Sequence, residues 1–361
     1  MFANKYIKAF KPYPLVSHKA WEIENKKDIL KLDWNEATIP PSPKVKENIL
    51  NFLDNGMINW YPDVNNIKLL EKLSFYAKVP IKNIQYFASS DSLHEYIART
   101  FIEPEDRIVI VAPTYDNFRV VVESSGALTE FYYLDDNFCL DIDNFEYYLN
   151  LHKPKIVYIC NPNNPTGTLY EKELIKRLIS KFENIMFIVD EAYYEFTGVS
   201  CASLALDYEN ILISRTFSKA FALASFRVGY AIASQHNIRL LSKIRNPKNI
   251  TTFSQIAAIS ALDDLEYMKS YVKEVLDAKI YFKNELEKLN IKVFDGGGNF
   301  VLIKLDLSIK KEFMNYLSMK NIFIRDYGHI KGMESYIRIT IGTKEQMNIV
   351  VTEIKNFYNA K

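Results

Sequence analysis

The 361-residue sequence is short of several things at once. It has 11 glycines, and none of them falls in the GxGxxG spacing of a dinucleotide loop. The one glycine run, Gly296-Gly-Gly-Asn299, lacks the helix that such a loop opens onto. Three cysteines, Cys139, Cys160 and Cys201, are odd in number and far apart. They suggest neither a disulfide framework nor a CxxC metal site, and they fit a reducing cytoplasm. His94 reads as a structural helix residue, and the other four histidines have no cysteine or carboxylate at metal-ligand spacing, so no metal is expected. Excess charge is missing too: 45 Lys+Arg against 44 Asp+Glu leave +1, no overall field for nucleic acid or an anionic membrane. Long apolar runs are absent. The charge-free stretch 156–170 is broken by three asparagines and two prolines, short of the ~20 apolar residues of a membrane span. Lysines at 5, 8 and 11 interrupt the first 14 residues, so no signal peptide is expected there and a cytoplasmic protein is.

What remains is ordinary globular composition, 48% hydrophobic and 25% charged, at a length above one usual hydrophobic core. Between about residues 80 and 235, apolar runs at 107–112, 128–134, 155–160, 185–189, 211–214 and 228–233 alternate with amphipathic stretches such as 93–101 and 171–182. The alternation predicts an α/β unit, and runs apolar at nearly every position suit a mainly parallel sheet flanked by helices. Beyond 250 the texture becomes one long helical pattern, 254–289, followed by short strands and helices of a smaller α+β unit. The expected division is a strap, 1–50, joining the small unit; a large unit, 51–253; and a small unit, 254–361.

Four local motifs carry chemistry. From Phe217 to Ser234 the only charges are Lys219 and Arg227. A lysine in such surroundings either has a lowered pKa and serves as a nucleophilic amine, or lies along apolar surface with its tip in water. Asp190 ends the apolar run 185–189; it either caps the next segment or is a buried carboxylate that needs a cation. Cys160-Asn-Pro-Asn-Asn-Pro-Thr-Gly167 follows another strand and is a rigid turn, bare or presenting the Asn164 amide to a ligand. Ala88-Ser-Ser-Asp-Ser92, between a strand and a helix, is either a plain N-cap or an anion cradle.

Ser-Lys-Ala-Phe-Ala-Leu-Ala with Arg227 eight residues after Lys219, the Asn-Pro-Asn-Asn-Pro-Thr-Gly turn, Asp190-Glu-Ala-Tyr193 and Arg338-Ile-Thr-Ile-Gly342 occur in one order. In that set the chain resembles the fold-type I pyridoxal-phosphate (PLP) aminotransferases, of the histidinol-phosphate aminotransferase-like group, over nearly its whole length. The resemblance implies that Lys219 bonds the cofactor, that Asp190 pairs with its ring nitrogen, and that Asn164 and Tyr193 bind its ring hydroxyl. It implies that Tyr115 stacks on the ring and that Ser90, Asp91, Ser92, Thr216, Ser218 and Arg227 line the phosphate site. Tyr61 matches a tyrosine that reaches the phosphate of a partner subunit, which implies a homodimer. Arg325 and Arg338 match the pair that holds a substrate carboxylate or phosphate, and Tyr13 and Asn35 match the strap over the substrate. The family expectation is transamination of a small phosphorylated substrate with glutamate and 2-oxoglutarate as partner. Decarboxylation of an O-phosphoamino acid, as in threonine-phosphate decarboxylases, is the alternative. Three departures stand out: Ser-Ser-Asp-Ser in the phosphate loop where Gly-Ser/Ala-Asp-Glu is common, Trp60 where Arg is usual, and Trp34 at a commonly small position.

Overall fold

The fully apolar runs of the sequence become strands that are buried on both faces. In the computed structural model, which describes residues 2–8, 11–12 and 19–360, the strands are β1 (Leu30–Leu32), β2 (Ile84–Phe87), β3 (Arg107–Ala112), β4 (Leu128–Tyr133), β5 (Ile156–Cys160) and β6 (Met186–Asp190), followed by β7 (Ile211–Thr216), β8 (Gly229–Ala233), β9 (Lys292–Phe294), β10 (Phe300–Lys304), β11 (Ile322–Asp326) and β12 (Tyr336–Thr340). Among the described residues they form a seven-stranded sheet in the order β2-β8-β7-β6-β5-β3-β4 and a five-stranded sheet in the order β1-β11-β12-β10-β9. Every residue of β5, β7 and β8 is buried, as helices cover both faces of the larger sheet. On one face Leu93, Ile97 and Phe118 pack against Ile110, Tyr158 and Leu212.

The larger sheet is parallel from β4 to β7, and its carboxyl ends converge in register: Cys160 faces Asp190, and Asp190 faces Ser214. Ligands of such sheets bind beyond these ends. β8 alone runs against the others: it pairs antiparallel with β7 on one side and with β2 on the other. The segment 217–228 between β7 and β8 contains one 3-10 turn, Ala224–Phe226, and no crossover helix, so the chain returns antiparallel and hangs Lys219 and Arg227 over the strand ends.

The helical pattern at 254–289 is two helices, Thr252–Leu262 and Leu265–Glu287. They part at Asp263 and Asp264, whose carboxylates take Lys72 and the Ser42 hydroxyl. Short acidic side chains favour such helix ends over interiors. In the smaller sheet β1 pairs parallel with β11, which places the N-terminal segment at its edge. Among the described residues no helix is long and apolar enough to cross a membrane.

The two sheets meet through a backbone interlock. Gly297 donates its N–H to the Gly167 carbonyl at 2.6 Å, and the buried Lys279 ammonium bonds the carbonyls of Gly296 and Gly298 at 2.6 and 3.0 Å. A Cβ on Gly296 would stand 1.9 Å from the Gly167 oxygen, and neither backbone has a flexible tip to withdraw. Gly296→Ala should therefore destabilise the protein by about 2 kcal/mol, the usual scale of overpacking, read as a lower denaturation midpoint in urea.

Candidate active site

Two adjacent acids at the end of β6 meet opposite fates. Glu191 is fully buried with its own cation: the Arg215 guanidinium lies 2.8 Å away, itself buried against the Tyr194 ring. Asp190 is buried beside it, and its partners are the Tyr158 hydroxyl at 2.9 Å, the Ala192 N–H at 3.1 Å and, farther off, His94 Nε2 at 3.7 Å. Burial pushes the Asp190 carboxyl upward, while His94 and the Tyr158 hydrogen bond hold it down. No lysine or arginine meets Asp190 among the described residues. That leaves a carboxylate aimed at a cation that the chain does not provide.

Lys219 is the second group out of balance. Its Nζ donates to the Trp34 carbonyl at 2.9 Å and stands 5.8 Å from the centre of the Tyr193 ring. Burial, reinforced by the nearby Arg338 charge, lowers its pKa from 10.5 to about 8. Near neutrality a substantial fraction of such an amine is unprotonated, the form that attacks a carbonyl. Of the two readings of this lysine, the structure supports the amine of lowered pKa, partly buried.

Beyond the end of β2 the chain forms a concave set of donors. Ser89 caps the Ser90–Phe101 helix, its Oγ accepting the Ser92 N–H at 3.1 Å, with φ 92° and ψ 165°. That region of backbone space is almost glycine-only and costs on the order of 1–3 kcal/mol for serine. The common glycine is gone from the sequence, yet its conformation is kept. The N–H groups of Ser90 and Asp91 have no acceptor among the described residues. Ser218 Oγ accepts from Thr216 at 2.9 Å, and Arg227 donates to Asp91 at 3.0 Å. Asp91 also receives the hydroxyl of Tyr115 and the amide of Asn117, both at 3.1 Å, so its carboxylate braces the rim while its N–H faces inward. A Cβ on Gly229 would sit 2.5 Å from the Ser90 nitrogen, so β8 must present glycine here. Free helix N–H groups, hydroxyls and a guanidinium suit a phosphate. With the unpaired Asp190 and the low-pKa Lys219, these residues fit the three ends of pyridoxal phosphate.

The third imbalance lies on the smaller sheet. Arg325 on β11 stands directly opposite Arg338 on β12. Side chains so placed share a face with Cβ atoms about 5 Å apart, and like charges there repel. They are 7% and 4% exposed, so water does little to screen them. Arg338 is held by neutral oxygens, the Asn164 Oδ1, the Tyr327 hydroxyl and the Asp33 carbonyl. Arg325 has no hydrogen bond or carboxylate partner among the described residues. Asn35 ties the N-terminal strap to this sheet: its N–H and Oδ1 both meet the Thr340 hydroxyl at 3.0 Å, and its Nδ2 donates to Tyr193 at 3.0 Å.

A family model described as "aminotransferase class I and II" matches residues 27–354. The chain belongs to the class I and II aminotransferases. It is 47% identical to the dihydroxyacetone phosphate transaminase of Campylobacter jejuni, across 99% of this chain and 97% of that one. It is 34% identical to the histidinol-phosphate aminotransferase of Ruminiclostridium cellulolyticum, across 90% and 91%. Its fold matches the crystal structure of histidinol-phosphate aminotransferase from Sinorhizobium meliloti in complex with pyridoxal-5'-phosphate, with TM-score 0.88, 23% identity, and coverage of 97% and 96%. The fold-type I expectation from the motifs is borne out.

In this aminotransferase the structure gathers Asp190, Tyr193, Asn164, Lys219, Arg325, Arg338 and Asn35 at the meeting of the two sheets, next to the donor set of residues 90–92, 216, 218 and 227. Tyr61 is exposed, with the Lys248 ammonium 4.3 Å from its ring centre, and makes no contact with that set. Trp60 is likewise exposed, and Tyr13 lies outside the described residues. Sequence reasoning passed over Tyr158, Tyr327 and Thr340, and it read His94 as structural. Their partners are 32, 11, 305 and 96 positions away, and only the tertiary fold brings them together.

The lowered pKa of Lys219 has a consequence for the cofactor-free protein. Between pH 8 and 10.5 the unfolded chain holds a proton that the folded one has lost, so stability from this group rises with pH across that window. Lys219→Met should therefore melt higher than wild type at pH 7, with the difference shrinking between pH 8 and 10.5 in calorimetric scans.

Proposed function

We propose that this aminotransferase moves amino groups on pyridoxal phosphate between an amino-acid donor such as glutamate and a short phosphorylated carbonyl compound of the dihydroxyacetone phosphate class. The observation that carries the reading is the opposed pair Arg325 and Arg338, two buried guanidiniums with no carboxylate between them. A phosphate monoester brings about −1.5 to −2 at neutral pH and matches two such charges better than one carboxylate does. The name of the 47% identical relative supports a three-carbon phosphate over histidinol phosphate.

When bound, pyridoxal phosphate supplies a ring that stores the electron pair left by a broken bond at the substrate's amino-bearing carbon. The chain's own groups do the rest. Asp190 offers its carboxylate to the ring nitrogen, and Asn164 and Tyr193 orient the ring edge. Tyr115 covers a ring face, and the N–H groups of residues 90 and 91 with Ser218, Thr216 and Arg227 hold the phosphate. Lys219 Nζ would take the proton from the substrate's amino-bearing carbon, hold it and give it back. Arg325 and Arg338 fix the far anion, so the bond to be broken is set by pose.

A homodimer completes the reading. Leu50, Leu53, Met57, Ile58, Trp60 and Tyr61 form a run of exposed apolar side chains, the kind of surface that a partner covers. A second copy covering it would carry Tyr61 toward the neighbouring phosphate site.

Purified holoenzyme incubated with glutamate should lose its visible cofactor band and recover it on adding dihydroxyacetone phosphate, more readily than with a histidinol-phosphate-derived ketone. Carbon dioxide release from an O-phosphoamino acid without acceptor would point instead to the decarboxylase alternative. Arg325→Gln should cut kcat/KM for the phosphorylated substrate about ten- to a hundredfold, the scale of a lost charged hydrogen bond, with cofactor binding unchanged.

A further inference from the structure

His94 is enclosed completely, yet neither of its ring nitrogens has a hydrogen-bond partner. It sits on the first turns of the Ser90–Phe101 helix, whose start forms the phosphate cradle. Its ring stands edge-on to Phe118 at 5.4 Å and to Tyr158 at 5.8 Å, and those two rings stack on each other at 4.4 Å. An apolar residue would fill this cage without the cost of an unpaired buried N–H, about 1–3 kcal/mol. Such an orphan calls for a cause. Among the described residues the only anion within ion-pair reach is Asp190, with Nε2 at 3.7 Å from Oδ2.

We propose that His94 is a positioning residue for the cofactor, presenting Nε2–H to Asp190 so that this carboxylate stays an anion aimed at the ring nitrogen. The inference rests on the reading that Asp190 meets that nitrogen. Among the groups around the pair, His94 is the one that can carry a positive charge. From β5, the Tyr158 hydroxyl donates to the same Oδ2, and burial pushes both this phenol and the Cys160 thiol well up, so neither adds a charge. From its own helix, Asp91 is a like charge that works against the Asp190 anion. Just beyond β6, the Ala192 N–H serves Oδ1. An imidazole can place a hydrogen on Nε2 whether neutral or charged, so His94 supports the anion in either form. The helix that cradles one end of the cofactor thereby also sets the charge at the other end.

The test uses ring-15N-labelled pyridoxal phosphate bound to wild type, His94→Leu, His94→Phe and His94→Gln, the last placing an amide nitrogen near the Nε2 position. Wild type and H94Q should show a protonated ring nitrogen. H94L and H94F should move the 15N shift toward the unprotonated value and raise the cofactor dissociation constant about tenfold or more, the scale of a hydrogen bond to a charged group. Wild-type shift and affinity in H94L or H94F overturn the proposal and leave His94 as core filling. Should the apolar variants fail to fold, an unprotonated ring nitrogen in folded H94Q overturns it equally. An unprotonated ring nitrogen in the wild-type protein also overturns it, and marks the Asp190 assignment as the failed premise.

Discussion

Charge withdrawn from water without a counter-charge is the constraint around which this protein is built. Asp190, Lys219 and the pair Arg325 and Arg338 are all buried or partly buried where the two sheets meet, and among the described residues none has a full ionic partner. Each such group costs folding free energy, which the large apolar core must offset. The contrast with Glu191 and Arg215 shows that the fold can match a buried acid with a cation when it needs only stability. A few residues away it does not, and the mismatched groups are the ones a cofactor and an anionic substrate would satisfy. Binding then supplies what folding lacks, and the site needs little rearrangement of donors to receive it.

Holding unpaired charges in place demands stiff surroundings. The carboxyl ends of β5, β6 and β7 are in register, which fixes Asp190 and the start of the Lys219 segment against one another. The smaller sheet fixes the two arginines by cross-strand pairing. Between the sheets, the Gly167 and Gly296 backbones touch with no room for a side chain, and Asn35 clips the strap to both Thr340 and Tyr193. Asn299 adds a bond to the Asn35 carbonyl, so the turn after the glycine run belongs to the same brace. Contacts of this kind transmit position from one sheet to the other without depending on long flexible side chains.

Much of this was legible in the sequence, for reasons that are local. Runs such as 108–112 and 185–189 are apolar throughout because both faces of the sheet are covered, and polar residues cluster where those strands end. Lys219 stands out by the lack of other charges around it, and the order of motifs did the rest. What was not legible depends on register. Nothing near Arg325 says that Arg338 will lie opposite it, and nothing near His94 says that a strand 96 positions later will end beside its ring. The break at Asp263 was hidden because apolar periodicity continues on both sides of it. Ser89 shows the reverse case: the residue type argued for an ordinary cap, while the tight approach of Gly229 and the cradle geometry hold it in a backbone conformation that serine avoids.

The two halves of the site are also coupled through charge. Arg338 is the second cause, after burial, of the low pKa of Lys219. Arg338 itself cannot swing away, because Asn164, Tyr327 and the Asp33 carbonyl hold its guanidinium. An anion that pairs with Arg338 cancels part of the field felt at Lys219 Nζ, and by Coulomb's law at short range and low dielectric that contribution is not small. The amine therefore becomes a stronger base when the substrate's far end is in place and a weaker one when the site holds only water. Asn164, in the turn that follows β5, accepts from Arg338, so the end of the larger sheet and the arginine of the smaller one share a direct hydrogen bond. The arginine that the smaller sheet holds in place thus sets part of the basicity of Lys219.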